Sequence, residues 1–301
     1  MSDAIRERRA ATTVSVVIAA HNALDLIDVQ LTALAAQDYD GAFEVIVSDN
    51  GGDPRLRSHI SDHPLREALC LTYVDSADRR GPGHARNAGV AAAHGDLYAF
   101  CDHDDRVHPG WLAALVRAAL QHDAVSGALE TESMNSPDVV EWRPMPDPAR
   151  LCEVPGYLPM AYGCTFAVWS DVFRALGGYD ETFDFGGEDK DISWRLQRAG
   201  FALGYARDSV VAYRLRSTYR GLWQQMRGYG ESDVKLYAEH RQHGLPRPTG
   251  LVTANLMAGI ILLNPLVPRR IRRIPTGQWV LHVAALWGRI RGSIRHRVFY
   301  I

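Results

Sequence analysis

Residues 96–105 read Asp96-Leu-Tyr-Ala-Phe-Cys-Asp102-His103-Asp104-Asp105, an apolar run that ends in a cluster of carboxylates. Asp96 to Cys101 has the length and character of a buried strand, so the acids stand at its carboxyl end. Working outward, Thr13-Val-Ser-Val-Val-Ile-Ala19 reads as a second buried strand. Leu24, Ile27, Leu31 and Leu34 follow it at helical spacing. Phe43 to Val47 is another strand, running into the turn sequence Ser48-Asp49-Asn50-Gly51-Gly52. Leu71 to Val74 adds a strand, and Arg86 to Ala93 predicts a short helix entered through Gly81-Pro82-Gly83. A further helix is expected over Pro109 to Gln121, with proline at an early helical position. Strands that alternate with helices in this way predict an α/β fold with a mainly parallel central sheet.

Beyond this unit, Asp123 to Arg143 is read as one or two mixed or antiparallel strands. Pro144, Pro146, Pro148 and Pro155 then punctuate a surface loop. Tyr162 to Trp169 predicts a strand and Val172-Phe173 a short helix. Strands are expected at Ala202 to Tyr205 and near Val210 to Leu215, and the pattern turns helical and aromatic after Thr218.

The 301 residues suffice for one large domain with an appendage, and a hydrophobic fraction of 47% supports a real core. Cys70, Cys101, Cys152 and Cys164 lack metal-ligand spacing, which predicts reduced thiols in a cytoplasmic protein. Arg6, Arg8 and Arg9 precede an apolar run too short for an anchor, so neither a signal peptide nor an N-terminal membrane anchor is expected. The net charge of −2 conceals an asymmetry: Pro268 to Ile301 carries eight arginines and no acid, leaving −2 − 8 = −10 on the rest. Trp279, Trp287, Phe299 and Tyr300 lie among those arginines, and the apolar run Leu251 to Val267 precedes them. That mixture suits peripheral contact with an anionic membrane surface. Packing on the rest of the chain, or across a homodimer, would use the same residues. Asn255 and the Asn264-Pro265 pair argue against a full span. Nucleic acid is not an expected partner, because the remaining surface is acidic and would repel phosphate.

Ligands of parallel α/β sheets sit beyond the carboxyl ends of the strands. Ala20-His21-Asn22, Asp49-Asn50 and Asp102-His103-Asp104 occupy such ends. Asp49 suits a base or ribose donor, and Asp102 and Asp104 suit a ribose and a divalent cation bridging phosphates. Oxygen ligands favour Mg2+ or Mn2+ over zinc. Arg79, Arg80 and Arg86 lie in a glycine-rich connection where they can meet phosphate charge. A second acidic patch lies in Gly177 to Gly200, GGYDETFDFGGEDKDISWRLQRAG, where Asp184, Glu188 and Asp189 precede an amphipathic helix. It is read either as a solvated loop or as the seat of a general base.

These motifs, Val14 to Asn22, Val45 to Gly51, Gly81 to Gly89, Tyr98 to Asp105 and Gly177 to Gly200, resemble in order those of the family 2 glycosyltransferases. The resemblance covers about residues 13 to 230, leaving 1–12 as a tail and 231–301 as a helical, basic extension. It implies the GT-A fold and inverting transfer of one sugar from a nucleotide-diphospho-sugar, UDP- or dTDP-sugars first, with Mn2+ or Mg2+. By that resemblance Asp49 contacts the base, with Ala20, Asn22, Arg79, Arg86, Asp102, His103 and Asp104 around the donor. Asp102 and Asp104 form the metal motif, and Asp189, beside Glu188, is the general base. Many relatives carry a histidine just after the last strand, where this chain has Ala212 and Tyr213. Arg214 or Arg216 is expected to compensate in part. Trp142, Tyr157 and Asp184 are candidates for the acceptor, a glycan, lipid-linked or small-molecule hydroxyl. A nucleotidyltransferase, or a catalytically silent glycan-binding protein, is the alternative reading of the same residues.

Overall fold

A computed structural model of the protein describes residues 11–248, 250–262, 264–272 and 274–301. One eight-stranded sheet, in the order β3-β2-β1-β4-β7-β6-β8-β5, organises the molecule. β1 (Thr13–Ala20), β2 (Ala42–Asp49), β3 (Leu71–Asp75) and β4 (Leu97–Asp102) are parallel neighbours. β7 (Phe166–Trp169) runs antiparallel between β4 and β6 (Ala124–Glu130). β8 (Leu203–Ala212) is parallel to β6, and the two-residue β5 (Arg106–Val107) closes that edge antiparallel to it. The expected α/β class and mainly parallel sheet are therefore observed.

Helices cover both faces of the sheet, which is why its central strands are continuously apolar rather than alternating. Val14, Val16, Val17 and Ile18 of β1 are all fully buried, each stabilising the fold by about 1.5–3 kcal/mol. The helix α1 (Ile27–Ala35) buries Ile27, Leu31 and Leu34 on one stripe. α2 (Pro54–Ser61), absent from the sequence reading, starts at Asp53, whose side chain accepts from the Arg55 amide. α3 (Pro82–Ala91) begins at the glycine-rich connection, and α4 (Trp111–Ala119) buries Trp111, whose Nε1 donates to Thr165 Oγ1 at 3.1 Å.

Three local expectations need correction. The extended segment to Arg143 ends at Glu130, and Pro137 opens a helix instead, α5 (Pro137–Trp142). Pro at the first helical position sacrifices no hydrogen bond, which lets an otherwise β-prone Val-Val sequence turn helical. Strand β7 starts only at Phe166, because the Thr165 amide closes a turn on Tyr162 O. The strands placed at 202–205 and 210–215 are one, β8, with a register irregularity opposite Gly127 and Ala128. α6 (Ser170–Ala175) and α7 (Glu188–Arg198) follow β7 as expected.

The C-terminal part adds α8 (Tyr219–His240), α9 (Gly250–Leu262), α10 (Arg269–Arg272) and α11 (Thr276–His296). α8 runs unbroken through residue 230. α11 lies along α8 so closely that a Cβ on Gly288 would stand 2.1 Å from Arg227 O, and one on Gly230 would stand 2.2 Å from Ala285 O. No side chain fits either position without separating the helices. Arg289 and Arg295 then pair with Asp233 and Glu231 of α8 at 3.5 and 2.9 Å. Arg289, Arg291 and Arg295 of the basic tail are thus paired on the molecule itself. Among the described residues no helix is long and apolar enough to cross a membrane.

Candidate active site

The carboxyl ends of β1, β2 and β4 bring together the three predicted strand-end clusters. Ala20 is buried, and its carbonyl accepts from the Asn50 amide at 2.7 Å. Asn22 turns the chain there with a left-handed φ of 53°. Asp49 is fully buried. Its Oδ1 accepts from the Gly51 and Gly52 amides, and its Oδ2 from the Asp53 amide and the Tyr73 hydroxyl at 3.0 Å. Asn50 clamps the next loop, donating to Ser76 O and Arg79 O and accepting from the Gly81 amide. Arg79 is drawn to Glu181 at 3.1 Å.

Asp102 at the end of β4 and Glu188 at the start of α7 are far apart in sequence but joined through one side chain. Arg86, buried on α3, donates from Nη1 to Glu188 Oε1 at 2.6 Å and from Nη2 to Asp102 Oδ1 at 3.0 Å. These two bonds tie the two acidic patches to a single guanidinium. Burial pushes the Glu188 carboxyl up to about 7, with the Asp189 charge adding to the effect and Arg86 opposing it. Glu188 Oε2 is sealed without a partner. Asp189 differs: it is only partly buried, and its Oδ1 accepts from the amide of Lys190 at 2.8 Å. The turn into α7 is made by Gly186 and Gly187, with φ of 80° and 97°, a backbone region open to glycine at little cost. The acids in the first turn of α7 also complement the positive end of its dipole.

A cavity of about 300 Å3 lies against this junction, lined by Arg86, Asp102, Glu188 and Asp189 together with residues of the far wall. Arg143 and Tyr229, which the sequence reading missed, line the same cavity, as do Tyr162, an aromatic face suited to a sugar ring but expected first to pack in the core, and Tyr213. Nothing in the local sequence of Arg143 marks it, since it stands in a proline-punctuated loop. Neither Asp49 nor Asp104 lines this cavity. Among the acceptor candidates, Trp142 stacks on Tyr219 at 4.7 Å and Tyr157 packs edge-on against Trp194 at 5.0 Å. Asp184 is exposed near Arg295. None of the three lines the cavity.

Around the metal motif, Asp102, Asp105 and Cys164 each present one donor atom within 4.8 Å of the others. Burial pushes the Cys164 thiol well up, so it remains an S–H and a poor ligand for a hard cation. Asp105 is also held well above the carboxylate range by burial and by the charges of Asp104 and Asp102, and its buried Oδ2 has no partner. Such crowded carboxylates fit a divalent cation bound through oxygen. The His103 Nδ1 lies 3.2 Å from Ala19 O. Tyr213 is turned toward Arg143, while Arg214 Nε donates to Asp104 O and Arg216 Nη1 to Asp104 Oδ2 at 2.8 Å.

This sheet order, with paired carboxylates at the strand ends, defines a GT-A-type nucleotide-sugar fold. Residues 15–177 match glycosyl transferase family 2, and the chain belongs to that family. Residues 149–215 also match the N-terminal domain of galactosyltransferase. The pre-mycofactocin glycosyltransferase of Mycobacterium tuberculosis is 30% identical over 210 residues, 67% of this chain and 44% of that protein. The chain therefore matches less than half the length of that relative. The succinoglycan biosynthesis protein ExoM of Rhizobium meliloti is 25% identical over 256 residues, covering 80% of this chain and 82% of ExoM. In structure, the mannosyltransferase PcManGT from Pyrobaculum calidifontis, solved in complex with GDP-Man and Mn2+, superposes with a TM-score of 0.63 at 18% identity. That match covers 93% of this chain and 86% of PcManGT.

Proposed function

We propose that the protein transfers a single sugar from a nucleotide-diphospho-sugar to a hydroxyl acceptor with inversion, Asp189 acting as the general base. The observation that carries this is charge pairing in the cavity. Asp102 and Glu188 are engaged by Arg86, and Asp233 by Lys190 at 2.8 Å. Asp189 is the carboxylate there with no ion pair among the described residues. It takes the acceptor O–H proton as the acceptor oxygen bonds to the anomeric carbon. The bond from that carbon to the diphosphate oxygen breaks on the opposite face, and the nucleoside diphosphate departs with the electron pair. A divalent cation held by Asp102 and Asp104 would neutralise charge on the departing diphosphate. Arg86 keeps Asp102 and the start of α7 at fixed separation, so base and diphosphate side stay in register. Arg214 and Arg216, fixed on Asp104, add positive charge on that side in place of the histidine found in relatives.

A donor screen that follows nucleoside diphosphate release tests the reading. UDP- and dTDP-sugars come first, with GDP-mannose included because a fold neighbour holds it. Release that needs Mn2+ or Mg2+ and an added acceptor is expected. No binding of any common nucleotide sugar, with or without metal, would overturn it.

The acceptor is proposed to lie at an anionic membrane surface. Leu251, Ile261 and Leu266 are 72%, 68% and 90% exposed, a cost in water that contact with lipid would remove. Arg270 and Arg272 of α10 follow them directly, with the charge that anionic headgroups attract. Co-sedimentation with phosphatidylglycerol vesicles that is lost at high salt or on pure phosphatidylcholine is the expected result. If the protein ignores both vesicle types, this face serves another contact, with a homodimer next to be tested.

A further inference from the structure

Among the described residues, the cavity contains one cation left without an anionic partner. Arg86 is shared between Asp102 and Glu188, and Lys190 is held by Asp233. Arg143 is partly buried in the opposite wall, and its partners among the described residues are all neutral. It donates to Gln225 Oε1 at 3.2 Å and to the Tyr213 hydroxyl at 3.4 Å. Its guanidinium also lies 5.5 Å from the ring centroids of both Tyr213 and Tyr229. A ring face attracts the cation but leaves its in-plane N–H groups free to bond elsewhere. Among the described residues, the two unpaired charges of the cavity are thus Asp189 and Arg143. Taking a guanidinium out of water with no counter-charge is costly, and that cost is offset when a ligand supplies the charge. Packing alone would be met by a neutral side chain of similar length. A planar fork held by Gln225 and Tyr213 through Nη1 and next to two rings, by contrast, is preorganised for the paired oxygens of a phosphate or carboxylate.

We propose that Arg143 is an oxyanion-binding residue, taking a phosphate or carboxylate group of the substrate into the cavity that contains Asp189. The inference rests on the glycosyltransferase reading and deepens it: one of the two substrates places an anion beside the reacting centre. The anion is either the donor diphosphate or a charged group on the acceptor, such as a uronate or a phosphorylated lipid headgroup.

Titration calorimetry with four probes separates these sources: UDP, glycerol 1-phosphate, methyl glucuronide and, as neutral control, methyl glucoside. Arg143→Met should weaken the binding of at least one anionic probe by about tenfold or more, the usual loss for a charge-assisted hydrogen bond. Methyl glucoside should be unaffected. A loss confined to UDP assigns the donor diphosphate, and one confined to glycerol phosphate or glucuronide assigns the acceptor. Equal affinities of wild type and Arg143→Met for every anionic probe overturn the proposal. Should Arg143→Met not fold, Arg143→Lys is titrated instead. It keeps the charge but loses the fork, so a severalfold loss is expected and no loss overturns the proposal. The underlying reading fails differently: wild-type protein that binds no nucleoside diphosphate argues against a glycosyltransferase, whereas normal UDP binding with no effect of Arg143 removes only this role.

Discussion

Asp189→Asn is expected to lower sugar transfer by about 100-fold or more while leaving the fold and nucleoside diphosphate binding intact. The amide has nearly the shape of the carboxylate, and its oxygen can still accept the Lys190 N–H that Asp189 accepts at 2.8 Å. What it cannot do is receive the acceptor proton. Glu188 is poorly placed to substitute, because one oxygen is bonded to Arg86 and the other is sealed from solvent. The measurement is steady-state release of nucleoside diphosphate, with donor affinity determined separately by calorimetry. Near-wild-type turnover in Asp189→Asn would take Asp189 out of the base role. A loss of donor binding that matches the loss of rate would make it a binding residue instead.

The second large effect is expected at Arg86, where Arg86→Met should cost about 3–5 kcal/mol of folding stability. The methionine fills much of the same volume but leaves Glu188 and the Asp102 oxygen facing one another without the shared cation. Breaking a buried pair by removing one partner is far more damaging than exchanging the whole set, and Glu188, only 5% exposed, has little solvent to turn to. Arg86→Lys should recover only part of the loss. A single ammonium lacks the planar fork that reaches Glu188 Oε1 at 2.6 Å and Asp102 Oδ1 at 3.0 Å together. Urea unfolding monitored by tryptophan fluorescence reads both variants. A midpoint unchanged in Arg86→Met would show that the bridge contributes nothing to holding the two acidic patches together.

The parts of this molecule that were legible in the sequence are those governed by local periodicity and by strand ends. β1, β2 and β4 are short apolar runs ending in polar clusters, and their order and type follow from that pattern alone. The positions of Asp102 at a strand end and of the Glu188-Asp189 pair at a helix start were legible for the same reason, although acids at a helix start also serve its dipole. α5 was not legible, since Val139 and Val140 favour a strand and only Pro137 hints otherwise. The division of β8 into two strands had a physical origin as well, for the sequence is polar at Arg207 and Asp208 where the register with β6 breaks. Arg143, Tyr213 and Tyr229 could not be grouped from sequence, because their proximity depends on how α8 crosses the end of the sheet. Trp142 and Tyr157 show the converse difficulty: an aromatic suited to stacking on a sugar is equally suited to packing on Tyr219 or Trp194.

The glycine-to-backbone seam between α8 and α11 has a consequence for how the cavity can be reshaped. α8 supplies Tyr229, Ser232 and Asp233 to the cavity wall, and its line is set by a neighbour that touches it backbone to backbone. A change of cavity shape that required α8 to shift would have to move α11 in step. The two helices therefore move as one unit, and exchanging the terminal helix without its matching α8 is expected to reshape the cavity wall that Tyr229, Ser232 and Asp233 form.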